Sequence, residues 1–119
     1  MRFLDDADSV RGYEVLLNKD GTFQCFRWND SFGSFTEISP VGNAQVGSVA
    51  NGAVYEVKIV GDIITVSFNA VEECTYDISS ISGTKYTTGN PAIAFFCRPS
   101  GDGSNPLHFG FSDITVTRL

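Results

Sequence analysis

Three observations predict an all-β antiparallel fold: side chains that alternate with a period of two, turn residues that interrupt the alternation roughly every eight to twelve positions, and almost no helical spacing. The pattern holds from about residue 11 to the end of the chain, where apolar positions fall at i and i+2 between clusters of Gly, Asn, Asp and Pro. Alternation of this kind buries one face of each strand, so two sheets packed face to face in a β-sandwich are its natural outcome.

The size fits that expectation. A chain of 119 residues with 42% hydrophobic and 13% aromatic content supplies one core, and a single domain of this length is near the modal size. Residues 1–10 read as an N-terminal segment and residues 11–119 as the sandwich domain. The formal charge of −6 repels phosphate backbones and anionic lipid, which argues against nucleic acid and membrane as partners. No apolar run approaches the roughly 20 residues of a spanning helix. Arg2-Phe3-Leu4 followed by Asp5-Asp6-Ala7-Asp8 lacks the long apolar core of a signal peptide, so neither export signal nor anchor is expected in these residues and the compartment stays open.

Taken in order, Tyr13, Val15 and Leu17 alternate with Gly12, Glu14 and Leu16, and Asn18-Lys19-Asp20-Gly21 offers the left-handed conformations that fold a second strand back. That strand, Thr22 to Trp28, carries Phe23 and Cys25 on one face and Gln24, Phe26 and Trp28 on the other. Aromatics on both faces leave one aromatic face open to solvent. Asn29 to Gly33 is a turn, Phe35 to Ile38 a short strand stopped by Pro40, and Val41 to Gly52 a long surface loop. The clearest hairpin follows: Tyr55, Val57 and Ile59 on one face, a turn at Gly61-Asp62, then Ile64, Val66 and Phe68 inward with Thr65 and Ser67 outward. Asn69-Ala70 turns the chain again, and Cys74, Tyr76 and Ile78 share a face. Ala92 to Cys97 is apolar on both faces, as in a strand covered on both sides. In the last strand Leu107, Phe109 and Phe111 are out of phase with Ile114 and Val116, so a bulge near Ser112-Asp113 would restore one buried face.

The order Tyr55 to Asn69, Thr75-Tyr76-Asp77, Gly89 to Phe96 and Phe109 to Val116 resembles the C-terminal two-thirds of concanavalin A-like lectin/glucanase domains. The resemblance spans roughly residues 11 to 117 and rests on pattern rather than on an invariant motif. It implies a jelly-roll sandwich, lectin-like carbohydrate binding and, as is common in that family, an extracellular setting. Family members usually carry Asn-Gly at the position of Asn69-Ala70 and Pro-Gly-Ile-Gly at that of Pro91-Ala92-Ile93-Ala94. They also have further strands before the segment resembling Gly12 to Leu17. Without those strands a sheet edge would lie open. Either the sandwich is a reduced one, or two copies complete each other's sheets; an open edge favours the homodimer.

Catalytic arrangements are scarce. Glycan-cleaving members of the resembling superfamily set two carboxylates at alternate positions of one strand, whereas Glu72 and Glu73 are adjacent and point to opposite faces. His108 is the sole histidine, and no Ser lies in a Gly-x-Ser-x-Gly elbow; a thiol–imidazole pair of His108 with Cys97 or Cys25 is the only nucleophilic arrangement left. Cys25, Cys74 and Cys97 are spaced like buried free thiols rather than a disulfide framework, with one bridge and one spare thiol as the alternative. Ser100 to Asn105 and the cluster Asp5, Asp6 and Asp8 offer oxygen ligands that calcium could use, but neither has EF-hand spacing. No cofactor is expected and no metal site is assigned.

Sugars are held by aromatic faces together with amide and carboxylate groups. The set that fits is Trp28, Phe26 and Tyr13 on the first hairpin, with Asn29 and Asp30 at its end. The expectation is a non-catalytic module that recognises carbohydrate or a similar polar ligand. An assembly protein that forms a homo-oligomer through its sheets ranks second, and a glycan-active enzyme third.

Overall fold

The computed structural model describes residues 2–4, 10–18, 20–30, 34–47, 49–82, 85–86, 90–92, 113 and 115–117. Among them there is no helix, and the strands form two antiparallel sheets. The strands are β1 (Arg2–Leu4), β2 (Val10–Leu17), β3 (Phe23–Asp30), β4 (Phe35–Ile38), β5 (Pro40–Gly42), β6 (Tyr55–Val60), β7 (Ile63–Phe68), β8 (Val71–Asp77) and β9 (Asn90–Ala92). One sheet runs β4-β3-β2-β1-β9 and the other β5-β8-β7-β6.

The core lies between them, as the alternation predicts. Tyr13, Val15, Phe23, Cys25 and Ile38 come from the first sheet, and Ile64, Val66, Phe68, Cys74 and Tyr76 from the second, with Ile78 just beyond β8; all are buried in one cluster. Tyr55, Val57 and Ile59 of β6 pack against its border, whereas Glu56, Lys58 and Val60 face water. The β6–β7 pairing runs from Tyr55 opposite Phe68 to Val60 opposite Ile63 around Gly61-Asp62, the hairpin expected from sequence.

Three features of the chain differ from expectation. Arg2–Leu4, read as lying outside the domain, is a strand between β2 and β9. It lies along β2, where the expectation had an open edge. Three residues are too few to show a period, which is why β1 was invisible. Second, the stretch Val41 to Gly52 is not simply a surface loop. The chain leaves the first sheet at Ile38, opposite Cys25, and enters the second at Pro40, opposite Tyr76. Proline is tolerated at this position because it opens an edge strand. Residues beyond β5 then dock on the first hairpin: the Phe23 amide donates to the Ala44 carbonyl at 2.7 Å, the Val46 amide donates to the Gly21 carbonyl at 3.0 Å, and Thr22 bridges Gln45. Third, Val116 does not join a buried face. It is 59% exposed, and residues 115–117 form no strand. β-branched residues favour a strand where they are half buried on a pleated surface, and Val116 is mostly exposed. Of the expected central strand only Ala92, at the end of β9, is described; Ile93 to Cys97, Leu107 to Phe111 and Ile114 lie outside the described residues.

The turn after β7 carries strain. Asn69 and Ala70 have φ of 51° and 65°, the pairing of left-handed residues that a two-residue type I′ hairpin requires. Asn69 suits it, and its side-chain oxygen accepts from the Val54 amide at 2.9 Å. Ala70 does not, because a Cβ in this region costs about 1–2 kcal/mol. Glycine there loses part of that gain to the entropy of the unfolded chain. Ala70→Gly is therefore expected to stabilise the protein by about 0.5–1 kcal/mol, read as a higher urea midpoint with an unchanged slope.

Candidate functional site

The outer face of the five-stranded sheet carries the aromatic cluster. On β3 the residues Phe23, Cys25 and Arg27 share the inward phase, and Gln24, Phe26 and Trp28 the outward one. β4 pairs with β3 so that Phe35 stands opposite Trp28 and Glu37 opposite Phe26. Three rings then meet: Phe35 packs edge-on to Phe26 at 5.1 Å between centroids and tilted to Trp28 at 5.4 Å. These are favourable aromatic geometries. Rings in mutual contact leave no hole between them for a ligand, so the cluster is a platform rather than a cage. Phe35, 52% exposed, is its most accessible part.

β2 supplies the polar counterpart. Gly12 is the ladder partner of Trp28 and Glu14 that of Phe26, so Glu14 lies diagonally from Trp28 on the same face, within reach of a long side chain. The Trp28 indole Nε1–H donates to Glu14 Oε2 at 2.8 Å. Glycine at position 12 puts no side chain between them. Glu14 is only 7% exposed, and a carboxylate at such depth is held by the hydrogen bonds it accepts. Its β1 ladder partner is Arg2. Along the other border, Asn18 Nδ2 donates to Gln24 Oε1 at 2.9 Å and Gln24 Nε2 donates to Glu37 Oε1 at 3.3 Å. The platform is thus edged by an amide and an exposed carboxylate.

Of the residues singled out from sequence, Trp28 and Phe26 come together on this face. Tyr13 does not. Its ladder partner is Arg27, it is 2% exposed in the core, and its ring meets Tyr86 at 5.7 Å; burial raises its phenol above the ordinary value. Asn29 shares the phase of Arg27 and donates through Nδ2 to Thr36 Oγ1 at 3.2 Å, behind the platform. Asp30 closes β3 opposite Val10. Sequence reasoning missed Phe35, Glu14 and Glu37. The turn at Asn29 to Gly33 was visible, but counting across it sets Ser34 opposite Trp28; in the structure the Asn29 amide donates to the Ser34 carbonyl, so the turn is one residue shorter and Phe35 stands beside Trp28.

Other chemistry is sparse among the described residues. Glu14 and Glu37 share the outer face but flank Phe26, so their backbones are two strand spacings, or about 9.5 Å, apart across the sheet, and Glu14 is engaged by the indole. At Glu72 and Glu73 a bulge intervenes: Ser67 pairs with Glu72 and Val66 with Cys74, while Glu73 Oε2 accepts from Asn43 Nδ2 at 3.3 Å. No group of three metal-ligating side chains occurs among the described residues. Asp5, Asp6, Asp8, Cys97, Ser100 to Asn105 and His108 lie outside them.

Cys25 and Cys74 are unbridged and buried in the core. Burial pushes the Cys25 thiol up to about 12 and raises that of Cys74. Thiolate is the reactive form, so both are expected to resist an aromatic disulfide reagent at pH 8 and to label only as urea unfolds the chain. Rapid labelling of either in the native state, located by peptide mass, would show the core to be open.

No family model, curated protein or solved structure matches the chain.

Proposed function

We propose that the protein is a non-catalytic, lectin-like module of jelly-roll type that binds carbohydrate on the open face of its five-stranded sheet. The observation that carries this reading is the platform of Phe35, Trp28 and Phe26, with its rings at 5.1 and 5.4 Å and a half-exposed phenyl at the front. Aromatic faces stack on the apolar side of a pyranose ring, and nearby amides and carboxylates take its hydroxyls. Gln24 and Glu37 fill that second role. Glu14 holds the indole in place and leaves the ring face for the sugar. The resemblance to concanavalin A-like domains points the same way.

Calorimetric titration with neutral gluco-, manno-, galacto- and xylo-oligosaccharides tests the reading. One of these classes is expected to bind, and Phe35→Ala to weaken it by about tenfold, 1.4 kcal/mol, while changing stability by less than about 1 kcal/mol because the ring is half exposed. Absence of heat in all four series, with sedimentation showing a monomer, would overturn it. A stable dimer that shields Trp28 would assign the same face to self-assembly.

A further inference from the structure

We propose that Asn51 is a site of spontaneous covalent modification, deamidation through a cyclic imide with Gly52, and that the fold tolerates the product. The assignment stands apart from any ligand of the aromatic platform. Asn51 is the one asparagine of the chain that precedes a glycine, whereas Asn90 and Asn105 precede proline. The reaction takes the backbone nitrogen of the following residue as its nucleophile. Proline has no N–H to give up, and glycine has no side chain to crowd the approach.

The structure sets Asn51 apart a second time. The Ala53 amide donates to the Ala50 carbonyl at 3.3 Å and closes a turn with Asn51 and Gly52 at its exposed tip. Gly52 has a φ of 81°, the left-handed conformation that glycine supplies without strain, and a Cβ there would meet nothing within 4 Å. The closing bond is long for N–H···O, so this tip opens at little cost in free energy. The side chains of Asn18, Asn29, Asn43 and Asn69 are engaged instead, with Gln24, Thr36, Glu73 and the Val54 amide. Asp20–Gly21, which could form the same imide by losing water, is tied down: the Gly21 amide donates to the Asn18 carbonyl and the Thr22 amide to Asp20 Oδ1, both at 2.9 Å.

In the reaction the Gly52 nitrogen, its proton lost to base, bonds to Asn51 Cγ. The Cγ–Nδ2 bond breaks, and the amide nitrogen takes a proton from water and leaves as ammonia. Water then opens the imide. Addition at Cγ leaves aspartate; addition at the Asn51 main-chain carbonyl leaves isoaspartate, whose backbone runs through Cγ and is one methylene longer. Either product adds a negative charge to a chain of formal charge −6. The change falls between two anchored points, Ala44 and Val46 on the first hairpin and Val54 on Asn69, so the core strands keep their places.

Incubation of the native protein in mildly alkaline buffer, followed by anion exchange and peptide mass analysis, tests this. A more acidic species is expected, heavier by one mass unit in the peptide that holds residues 51 and 52 and lost in Asn51→Ser. Its rate of formation is expected to lie within about tenfold of that in the guanidinium-unfolded chain. Once purified, it is expected to unfold at the urea midpoint of the unaltered protein. Absence of conversion at Asn51 in the native protein would overturn the assignment, as would faster conversion at Asn18, Asn29, Asn43 or Asn69. A lower urea midpoint for the acidic species would overturn the tolerance of the product.

Discussion

Phe23→Ala is expected to destabilise the protein by about 3–5 kcal/mol. Phe23 begins β3 on its inward face, and its ring stacks on Tyr55 at 5.8 Å with an interplanar angle of 9°. The same ring tilts against Phe68 at 6.3 Å. It therefore joins β3 of one sheet to β6 and β7 of the other, and truncation opens a cavity between sheets that neither backbone can move to fill. A small domain has roughly 5–15 kcal/mol in total, so this single change consumes a large part of it. Urea unfolding should show a far lower midpoint at the same slope. Phe26→Ala, on the half-buried outer face, is expected to cost markedly less. Equal costs for the two would mean that the assignment of inner and outer faces on β3 is wrong.

Gly21→Ala is expected to cost about 3 kcal/mol or more, although it adds one methyl group. Gly21 has a φ of 81°, where a Cβ is already disfavoured by about 1–2 kcal/mol. That Cβ would also sit 1.7 Å from the Gly47 carbonyl oxygen and 2.7 Å from its carbon. Main chain cannot rotate out of the way as a side chain can. Either the turn or the docked segment must withdraw, and with it go the Val46–Gly21 and Phe23–Ala44 hydrogen bonds. Gly52 and Gly61 provide the control, because both have left-handed φ yet a Cβ on either meets nothing within 4 Å. Their alanine variants should lose only the conformational part, about 1 kcal/mol. If Gly21→Ala matched them in thermal melts, the packing of residues 44–47 on the first hairpin would be disproved.

How far sequence could see into this molecule depended on the length over which a period could be counted. β6 and β7 each carry six residues of strict alternation, and β8 alternates from Cys74 onward, past the bulge at Glu73; on these stretches the inward faces agree with the reading. β5, with three residues and a proline, offers no period. Its place is set by what lies opposite it in space, Tyr76 to Cys74. Gly21 against Gly47 is a contact of the same kind: two glycines far apart in sequence, meaningful only once folded.

The candidate site was half legible for a related reason. That β3 had aromatics on both faces followed from alternation alone. Which residue of β2 shared a face with Trp28 did not, because the register depends on the loop of Asn18 to Thr22, and a slip of one residue exchanges the faces. With Leu17 opposite Phe23, Trp28 meets Gly12 and Tyr13 meets Arg27. Tyr13 thus went to the core, and the carboxylate that accepts from the indole is Glu14, which the register alone brings to the face of Trp28.

The emission of Trp28 during titration with neutral oligosaccharides bears most directly on the proposal that the outer face of the β4-β3-β2-β1-β9 sheet is a stacking surface. A saturable change in intensity or wavelength with one glycan class, moved to about tenfold higher concentration in Phe35→Ala, is the predicted result. Emission that stays constant to millimolar concentrations of every class would contradict it.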